Sequence, residues 1–225
     1  MREKAVIFDL DGTLHNRKQS LYLFLTSQYR TLLESHVNFS FDQFRSEFTK
    51  LDKNGHVWKD IVYEQLINSL GVNHIGADEL LQNYINDFPT FSVLFDDTLN
   101  MLSWLKQEGY KLGMITNGKK VFQRNTILSL QLEEYFDHII ISEEVGLRKP
   151  DERIFDLSLT SLGVQACDSI FVGDHPIDDV EAAKKVGLMT IWCENPNWGS
   201  ADAHKRCASI SELPSLILEL FDQNG

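Results

Sequence analysis

Apolar residues follow two different patterns along the 225-residue chain. From Ser20 to about Phe88 they recur at the spacing of amphipathic helices that share a core. Ser40 followed by Gln43 has the spacing of a capping box at the start of one of these helices. This part of the chain therefore predicts a small helical bundle.

Short continuous apolar runs lie at the N-terminus and beyond Phe95, where they alternate with helical segments. The predicted strands cover residues 5–8, 111–115, 138–141, 169–172 and 189–192. The predicted helices cover residues 99–108, 120–130, 151–162, 177–186 and 211–221, and residues 195–208 are predicted to be a loop. This alternation is typical of an α/β fold whose parallel sheet is covered on both faces, with ligands at the carboxyl ends of the strands.

Two carboxylates stand two positions apart after the first predicted strand, in the run Asp9-Leu10-Asp11-Gly12-Thr13. Residues i and i+2 of an extended backbone share a face, so both acids point into one small volume. Two like charges that close resist ionisation unless a cation lies between them, and Mg²⁺ prefers such hard oxygen ligands. Gly12 permits a sharp turn, and the Thr13 hydroxyl can position a neighbouring carboxylate. The alternative is a strand that ends in an ordinary Asp-Gly turn.

Two further segments carry groups that suit a phosphate. Thr116-Asn117-Gly118 follows a strand and leads into a helix N-terminus, where free N–H groups and the helix dipole favour an anion. A plain helix-capping turn has the same sequence. Lys149 precedes Pro150, which is expected to open the next helix, so the cation would lie near a helix start and point back to the site. The alternative is a solvated surface lysine.

Acidic residues also follow the strand predicted over residues 169–172, in the run Gly173-Asp174-His175-Pro176-Ile177-Asp178-Asp179. Asp174 occupies a strand end as Asp9 does. The carboxyl ends of parallel strands meet at one edge of a sheet, so Asp174 is predicted to reach the same metal ion. Asp178 or Asp179 would hold a metal-bound water or cap the following helix, where acids are favoured.

Composition narrows the classes of partner. The formal net charge of −12 argues against a nucleic-acid backbone or an anionic membrane surface. A phosphorylated metabolite is compatible with it, because a metal ion and one or two local cations dominate a small site. Cys167, Cys193 and Cys207 lack a CxxC spacing and are interpreted as reduced thiols. With no signal-peptide pattern and no apolar run long enough to span a bilayer, a soluble cytoplasmic protein is expected.

Taken in order, the segments FDLDGT, ITNG, RKP and VGDHPIDD resemble the four signature motifs of the haloacid dehalogenase superfamily, phosphatase branch. The resemblance covers the whole chain. It implies a Rossmann-like, doubly wound core over residues 1–15 and 92–225, with residues 16–91 as an inserted α-helical cap domain. The stretch ISEEVGLRKPDERIF and the VGDH motif are similar to bacterial members of the pyrimidine-nucleotidase and FMN-phosphatase group.

This resemblance implies an enzyme that hydrolyses a small phosphate monoester, such as a nucleotide, flavin or sugar phosphate. Mg²⁺ is the implied cofactor, and a monomer or weak homodimer is the expected state. Asp9 resembles the nucleophile that forms an aspartyl-phosphate. Asp11 resembles the general acid/base, and its backbone carbonyl would also bind Mg²⁺.

The remaining motif positions carry over one by one. Thr116 and Lys149 match the phosphoryl-binding residues, with Asn117 beside Thr116, and Asp174 matches the metal-binding acid. The residues expected to support these groups are Gly12, Thr13 and Asp179.

Other reactions and roles differ in the residues they need. Dehalogenases and phosphonatases of the superfamily generally lack the second aspartate, so Asp11 argues against both. A phosphomutase or another phosphoryl transferase would keep all four motifs, and only release of free phosphate separates it from a phosphatase. A non-catalytic binding module would be expected to have lost Asp9, Asp11 or Lys149.

Substrate preference is predicted to depend on residues outside the four motifs, because the motif residues act on the phosphoryl group. Two polar clusters are candidates: His15-Asn16-Arg17 at the hinge after the first motif, and the turn that carries Asn54, His56 and Lys59. Trp58 in this turn would stack on a base or flavin ring, or else pack inside the bundle. His15 and His56 would otherwise be plain surface residues.

Overall fold

The structure is a computed structural model that describes residues 3–223. The strands in this range are β1 (Ala5–Phe8), β2 (Lys111–Thr116), β3 (His138–Ile141), β4 (Ser169–Gly173), β5 (Met189–Cys193) and β6 (Lys205–Cys207). The α-helices in the same range are α1 (Arg17–Gln28), α2 (Phe41–Asp52), α3 (Lys59–Leu70), α4 (Ala77–Asp87), α5 (Thr98–Gln107), α6 (Lys120–Ser129), α7 (Ser142–Val145), α8 (Glu152–Leu162), α9 (Ala182–Lys185) and α10 (Leu213–Gln223). Within residues 3–223, every helix is too short or too polar to cross a bilayer.

The strands of the described chain form one parallel sheet in the order β3-β2-β1-β4-β5-β6. β1 lies between β2 and β4, and Phe8 is in register with Met114 on one side and Val172 on the other. The predicted α/β fold with a doubly wound parallel sheet is confirmed. The carboxyl ends of β1, β2 and β4 therefore lie side by side.

Alternate residues of β1 point into different hydrophobic cores, as the alternation of a strand requires. Val6 and Phe8 belong to a core that includes residues of α5, α6 and α10. Ala5 and Ile7 belong to a second core, which includes residues of α8 and α9. The central strand is held from both faces, so the loop that follows it starts from a fixed position.

Three segments differ from the sequence-based prediction. β6 lies in the segment that was predicted to be a loop. The prediction missed it because this three-residue edge strand contains Lys205 and Arg206 and no apolar run. The helix predicted over residues 177–186 begins as a π-helical segment, Pro176–Glu181, and continues as α9. Pro150 does not open the next helix: α8 begins at Glu152, after Asp151 caps it with its side chain.

The chain divides into two compact units. The first comprises Met1–Asn16 and Val93–Gly225 and contains the sheet. The second comprises Arg17–Ser92 and contains α1 to α4. That the second unit acts as a cap stays a prediction.

Aromatic side chains form much of the core of the helical unit. Phe24 makes an edge-to-face contact with Tyr84, with ring centroids 5.3 Å apart, and both side chains are buried. The predicted capping box at the start of α2 is confirmed. The Gln43 N–H donates to the Ser40 hydroxyl, and the Ser40 N–H donates to the Gln43 side chain at 2.8 Å.

A buried ion cluster joins three segments of the helical unit. Asp52 at the end of α2 accepts hydrogen bonds from Arg17 at 3.0 Å through both carboxylate oxygens, and its Oδ1 lies 2.6 Å from Lys59 Nζ. The side chains of Asp52 and Lys59 are 1% and 3% exposed. Burial alone would raise the pKa of the Asp52 carboxyl, but the two cations outweigh burial and hold the pKa below its ordinary value.

Replacing Asp52 with asparagine is expected to lower the free energy of unfolding by about 3 kcal/mol at neutral pH, because Lys59 stays buried without its counter-charge. The pKa of Asp52 is lower in the folded protein than in the unfolded chain. Its contribution is therefore complete above about pH 4 and is lost as the pH falls through the folded pKa. In urea denaturation at decreasing pH, the difference between wild type and Asp52→Asn should narrow.

Asp42→Asn is the matched control in the same unit. Asp42 is exposed, and its 3.2 Å contact with Arg45 lies at the surface. The control should unfold at the urea concentration of the wild type, since exposed ion pairs contribute little to stability. Equal stability of Asp52→Asn and Asp42→Asn would contradict the role given to the buried cluster.

Candidate active site

The loop after β1 turns sharply and carries both predicted catalytic carboxylates at the carboxyl edge of the sheet. The His15 N–H donates to the Leu10 carbonyl at 2.9 Å, which closes the turn. Gly12 within it has a φ of +91°, and a Cβ at this position would collide with the Asp174 carboxylate. Gly12 therefore supplies the left-handed backbone and also lets Asp174 approach the turn.

The Lys149 amine joins two carboxylates at the centre of the site. Its Nζ donates to Asp9 Oδ1 at 2.7 Å and to Asp179 Oδ1 at 2.6 Å, and its side chain is 2% exposed. Burial alone would lower the pKa of Lys149, but the two carboxylates raise it above its ordinary value. The amine is thus held as a buried cation, and the alternative of a solvated surface lysine is wrong.

Side chains from neighbouring loops hold this arrangement. The Thr13 hydroxyl donates to Asp9 Oδ2 at 3.2 Å. The Asn117 amide donates to the Lys149 carbonyl at 2.9 Å and accepts the Lys149 N–H at 3.0 Å. The Asn117 side chain therefore positions Lys149, and its predicted contact with phosphate stays a prediction.

Asp174 directly follows β4 and is held by residues from β5 and from the segment after it. Asn195 Nδ2 and the Trp198 indole N–H both donate to Asp174 Oδ2, at 2.6 and 3.1 Å. The Trp192 indole N–H donates to the Asp174 carbonyl at 2.7 Å. Three donors thus fix both the backbone and the carboxylate of this residue.

The two acids that follow Asp174 have different surroundings. Asp179 is buried, with Oδ1 bound to Lys149 and Oδ2 accepting the His175 N–H at 3.0 Å. Asp178 is partly exposed, and its carboxylate lies 3.9 Å from His175 Nδ1. Of the two, Asp179 is the one joined to the site, and both of its oxygens are engaged in supporting contacts.

Asp9, Asp174 and Asp179 bring carboxylate oxygens within 4.8 Å of one another, and all three are buried. Burial raises the pKa of Asp9 well above its ordinary value. The Lys149 cation lowers this pKa, and the carboxylates of Asp179 and Asp174 raise it further. Burial and the Asp179 carboxylate raise the pKa of Asp174 to about 7. Three such acids beside Lys149 form an oxygen donor set with excess negative charge, which suits a divalent cation.

The Asp11 carboxylate is contacted at both oxygens. His15 Nδ1 lies 2.6 Å from Oδ1, and Gln123 Nε2 donates to Oδ2 at 3.1 Å. The same Gln123 amide donates to Thr116 Oγ1 at 2.6 Å. One glutamine on α6 therefore connects the first motif with the end of β2.

The residues that hold the motif side chains were not identified from the sequence. They are Gln123, Trp192, Asn195 and Trp198. One signal for Gln123 was present: a Cβ at Gly118 would lie 2.6 Å from Gln123 Cγ, so the glycine of the T-N-G segment leaves room for this side chain. The others carry no pattern that distinguishes them from core or loop residues.

The residues predicted to set substrate preference lie in different environments. His15 is fully buried, so the alternative of a plain surface residue is wrong for it. Asn54 and His56 are exposed, and Asn54 has a left-handed backbone with a φ of 55°. Lys59 belongs to the buried ion cluster of the helical unit, and Trp58 is half-buried. Their role in substrate preference stays a prediction.

The parallel sheet and the acidic cluster at its carboxyl edge define an α/β enzyme with a carboxylate-rich site. A family model described as haloacid dehalogenase-like hydrolase matches residues 6–193. The chain belongs to this family, as the order of its four motifs predicted.

Named relatives extend over nearly the whole chain. Glyceraldehyde 3-phosphate phosphatase of Pyrococcus furiosus is 29% identical over 231 residues, which cover 100% of this chain and 95% of the relative. Pyrimidine 5'-nucleotidase YjjG of Escherichia coli is 28% identical over 85% of this chain and 86% of its own. A solved structure of a HAD phosphatase from Thermococcus onnurineus is 29% identical, with a TM-score of 0.67 over 95% of this chain and 97% of that one.

Proposed function

We propose that this protein is a Mg²⁺-dependent phosphatase that hydrolyses a small phosphate monoester through an aspartyl-phosphate on Asp9. The observation that carries the proposal is the buried 2.7 Å contact between Lys149 and Asp9, at the sheet edge from which Asp11 and Asp174 also extend. A carboxylate attacks phosphorus readily only where nearby cations offset the charge of the phosphate. The phosphatase names of the relatives support the same class of reaction.

The residues present fit a divalent cation. Asp9 and Asp174 offer buried carboxylate oxygens, the Asp11 backbone carbonyl is the third proposed ligand, and Gly12 keeps a side chain away from Asp174. These are the hard oxygen donors that Mg²⁺ prefers. Bound there, Mg²⁺ would offset phosphate charge and polarise the phosphoryl group.

The proposed reaction has two half-reactions, and the same side chains act in both. An Asp9 oxygen attacks phosphorus while the bond from phosphorus to the leaving oxygen breaks, and Asp11 gives its proton to that oxygen. Water then attacks the aspartyl-phosphate, Asp11 takes the proton of the water, and the bond from phosphorus to Asp9 breaks. Lys149 and Thr116 hold the phosphoryl oxygens through these steps.

We propose a small phosphorylated metabolite, such as a nucleotide, flavin or sugar phosphate, as the substrate. The names of the two relatives, which concern a triose phosphate and a pyrimidine nucleotide, support this class. Three free thiols support a reducing compartment, and we propose a cytoplasmic monomer or weak homodimer. A phosphomutase is the second candidate, since it uses the same groups, and release of inorganic phosphate separates the two.

Asp9→Asn should lower Mg²⁺-dependent turnover of 4-nitrophenyl phosphate by about 10⁴-fold or more, because an amide does not attack phosphorus. Asp11→Asn should accept a phosphoryl group from this activated substrate and then stall, because water keeps its proton. Both are measured as release of nitrophenolate and of phosphate. Asp156→Asn, on the exposed face of α8, is the matched control and should behave as wild type. Near wild-type turnover by freshly purified Asp9→Asn would exclude this nucleophile.

Asn195→Leu should weaken binding of Mg²⁺ by about 10- to 100-fold, because Asp174 loses a donor that orients its carboxylate. Titration calorimetry of the metal-free protein with magnesium chloride measures this without any substrate. Asn197→Leu is the matched control, since Asn197 is an exposed amide of the same loop.

Wild-type activity should also disappear in chelator and return with Mg²⁺. Full activity in excess chelator would exclude the metal. Equal Mg²⁺ affinity of Asn195→Leu and Asn197→Leu would instead exclude only the role of Asn195.

We propose that Asn54 and His56 contribute to substrate preference, because the groups that hold the phosphoryl oxygens act on every monoester alike. The double variant Asn54→Ala/His56→Ala should shift relative kcat/KM across a panel of nucleotides, sugar phosphates and flavin phosphates by about tenfold. Its turnover of 4-nitrophenyl phosphate should stay within about twofold of wild type. Lys59 is kept, because its removal breaks the ion cluster with Asp52. His36→Ala, an exposed histidine of the same unit, is the control, and an unchanged ranking would refute the role of this turn.

A further inference from the structure

His15 and Gln123 each contact one oxygen of the Asp11 carboxylate. His15 follows the first motif in the chain, and Gln123 lies on α6. His15 Nδ1 lies 2.6 Å from Oδ1, and Gln123 Nε2 lies 3.1 Å from Oδ2. A carboxylate with a partner on each oxygen has one preferred orientation, because rotation about its last bond would break both contacts. Neither residue belongs to the groups that act directly in the proposed reaction.

The backbone around His15 is fixed on both sides. Its N–H donates to the Leu10 carbonyl and its carbonyl accepts the Gly12 N–H, each at 2.9 Å. It also forms isolated bridges with Asp11 and with Leu94. The side chain is fully buried, so the imidazole is packed inside the protein as part of the turn.

Gln123 is equally constrained. Its side chain is 2% exposed, and the same amide that contacts Asp11 donates to Thr116 Oγ1 at 2.6 Å. The space for it exists because Gly118 has no side chain: a Cβ there would lie 2.6 Å from Gln123 Cγ. The distance between Asp11 and the phosphoryl-holding hydroxyl is thereby set by a single amide.

We infer that His15 and Gln123 are positioning residues that hold the Asp11 carboxylate where it can serve both half-reactions, an inference that rests on the proposed function. In the first half, a proton passes from Asp11 to the leaving oxygen as the bond from that oxygen to phosphorus breaks. In the second half, a proton passes from water to Asp11 as the water oxygen bonds to phosphorus and the bond to Asp9 breaks. Proton transfer requires hydrogen-bond reach in each case, so a displaced carboxylate slows both steps.

An activated aryl ester separates the two steps. A nitrophenolate leaves without a proton, so transfer of the phosphoryl group to Asp9 tolerates a displaced Asp11. Hydrolysis of the aspartyl-phosphate still needs a base. Loss of the His15 contact should therefore produce a rapid burst of nitrophenolate followed by slow turnover, which general damage to the fold would not produce.

The experiment compares His15→Asn, His15→Gln and His15→Phe by stopped-flow with 4-nitrophenyl phosphate and saturating Mg²⁺. The amide nitrogen of asparagine occupies the position of Nδ1, whereas that of glutamine reaches the position of Nε2. His15→Asn should stay within about fivefold of wild type. His15→Gln and His15→Phe should keep the burst rate within about threefold while the steady-state rate falls by about 10²-fold.

Two further variants complete the test. His36→Phe makes the same change at an exposed histidine of the helical unit and should match wild type in both phases. Gln123→Leu should slow the burst as well as the steady state, because Thr116 loses its partner together with Asp11. In the Asp11→Asn background, His15→Gln should have no additional effect on the steady-state rate.

The outcomes distinguish the positioning role of His15 from the proposed function. A wild-type protein that hydrolyses the ester while His15→Gln shows unchanged kinetics overturns the positioning role and leaves the proposed function intact. Equal losses in burst and steady state for His15→Asn and His15→Gln also overturn it, because position of the amide then does not matter. A wild-type protein that releases no phosphate from any monoester overturns the proposed function and this inference with it. His15→Gln keeps a polar side chain, so it tests the positioning role of His15 even where His15→Phe does not fold.

Discussion

The candidate site depends on one buried contact, that of the Lys149 amine with Asp9 and Asp179. A carboxylate buried without a counter-charge protonates, and a protonated carboxyl does not attack phosphorus. Lys149 Nζ lies 2.7 Å from Asp9 Oδ1 and 2.6 Å from Asp179 Oδ1, so one cation faces two acids. At Asp9 this cation opposes the rise in pKa that burial causes. Asp9 and Asp179 lie close together because β1 and β4 are neighbours in a parallel sheet and end at the same edge. Asn117, at the end of β2, holds the backbone of Lys149 beside them.

Each reactive group in the site is fixed by a donor from a different part of the chain. Asn117 clamps the backbone of Lys149, Asn195 donates to Asp174, and Gln123 donates to Asp11. These donors come from the ends of β2 and β5 and from α6. Groups placed on rigid elements and held by a second set of contacts keep the geometry that catalysis requires. The sheet therefore positions the reactive groups at its strand ends and also the residues that donate hydrogen bonds to them.

The strands β1 to β5 and the acids that follow β1 and β4 could be predicted, because a continuous apolar run followed by a carboxylate is a strong local pattern. The local pattern alone left the burial of Lys149 open, since a lysine before a proline looks the same whether it faces solvent or a site, and only the order of the four motifs indicated the site. β6 was missed because an edge strand of three residues contains two cations. Gln123 and Asn195 were missed because their contacts join residues more than twenty positions apart, such as Gln123 with Asp11 and Asn195 with Asp174. Local sequence patterns hold no information about such pairings until the fold brings them together.

The residues at the sheet edge indicate the class of reaction, but they do not identify the substrate. In the proposed reaction, the groups at the sheet edge act on a phosphoryl group that every monoester shares. Relatives of almost equal identity, 29% and 28%, carry names for different substrates. Discrimination needs positions that can change without loss of the fold. The turn between α2 and α3 meets this condition, because the buried pair Asp52 and Lys59 anchors its two ends at 2.6 Å while Asn54 and His56 stay exposed. In the proposed function, a rigid base with an exposed turn would allow substrate preference to diverge while the chemistry at the sheet edge stays the same.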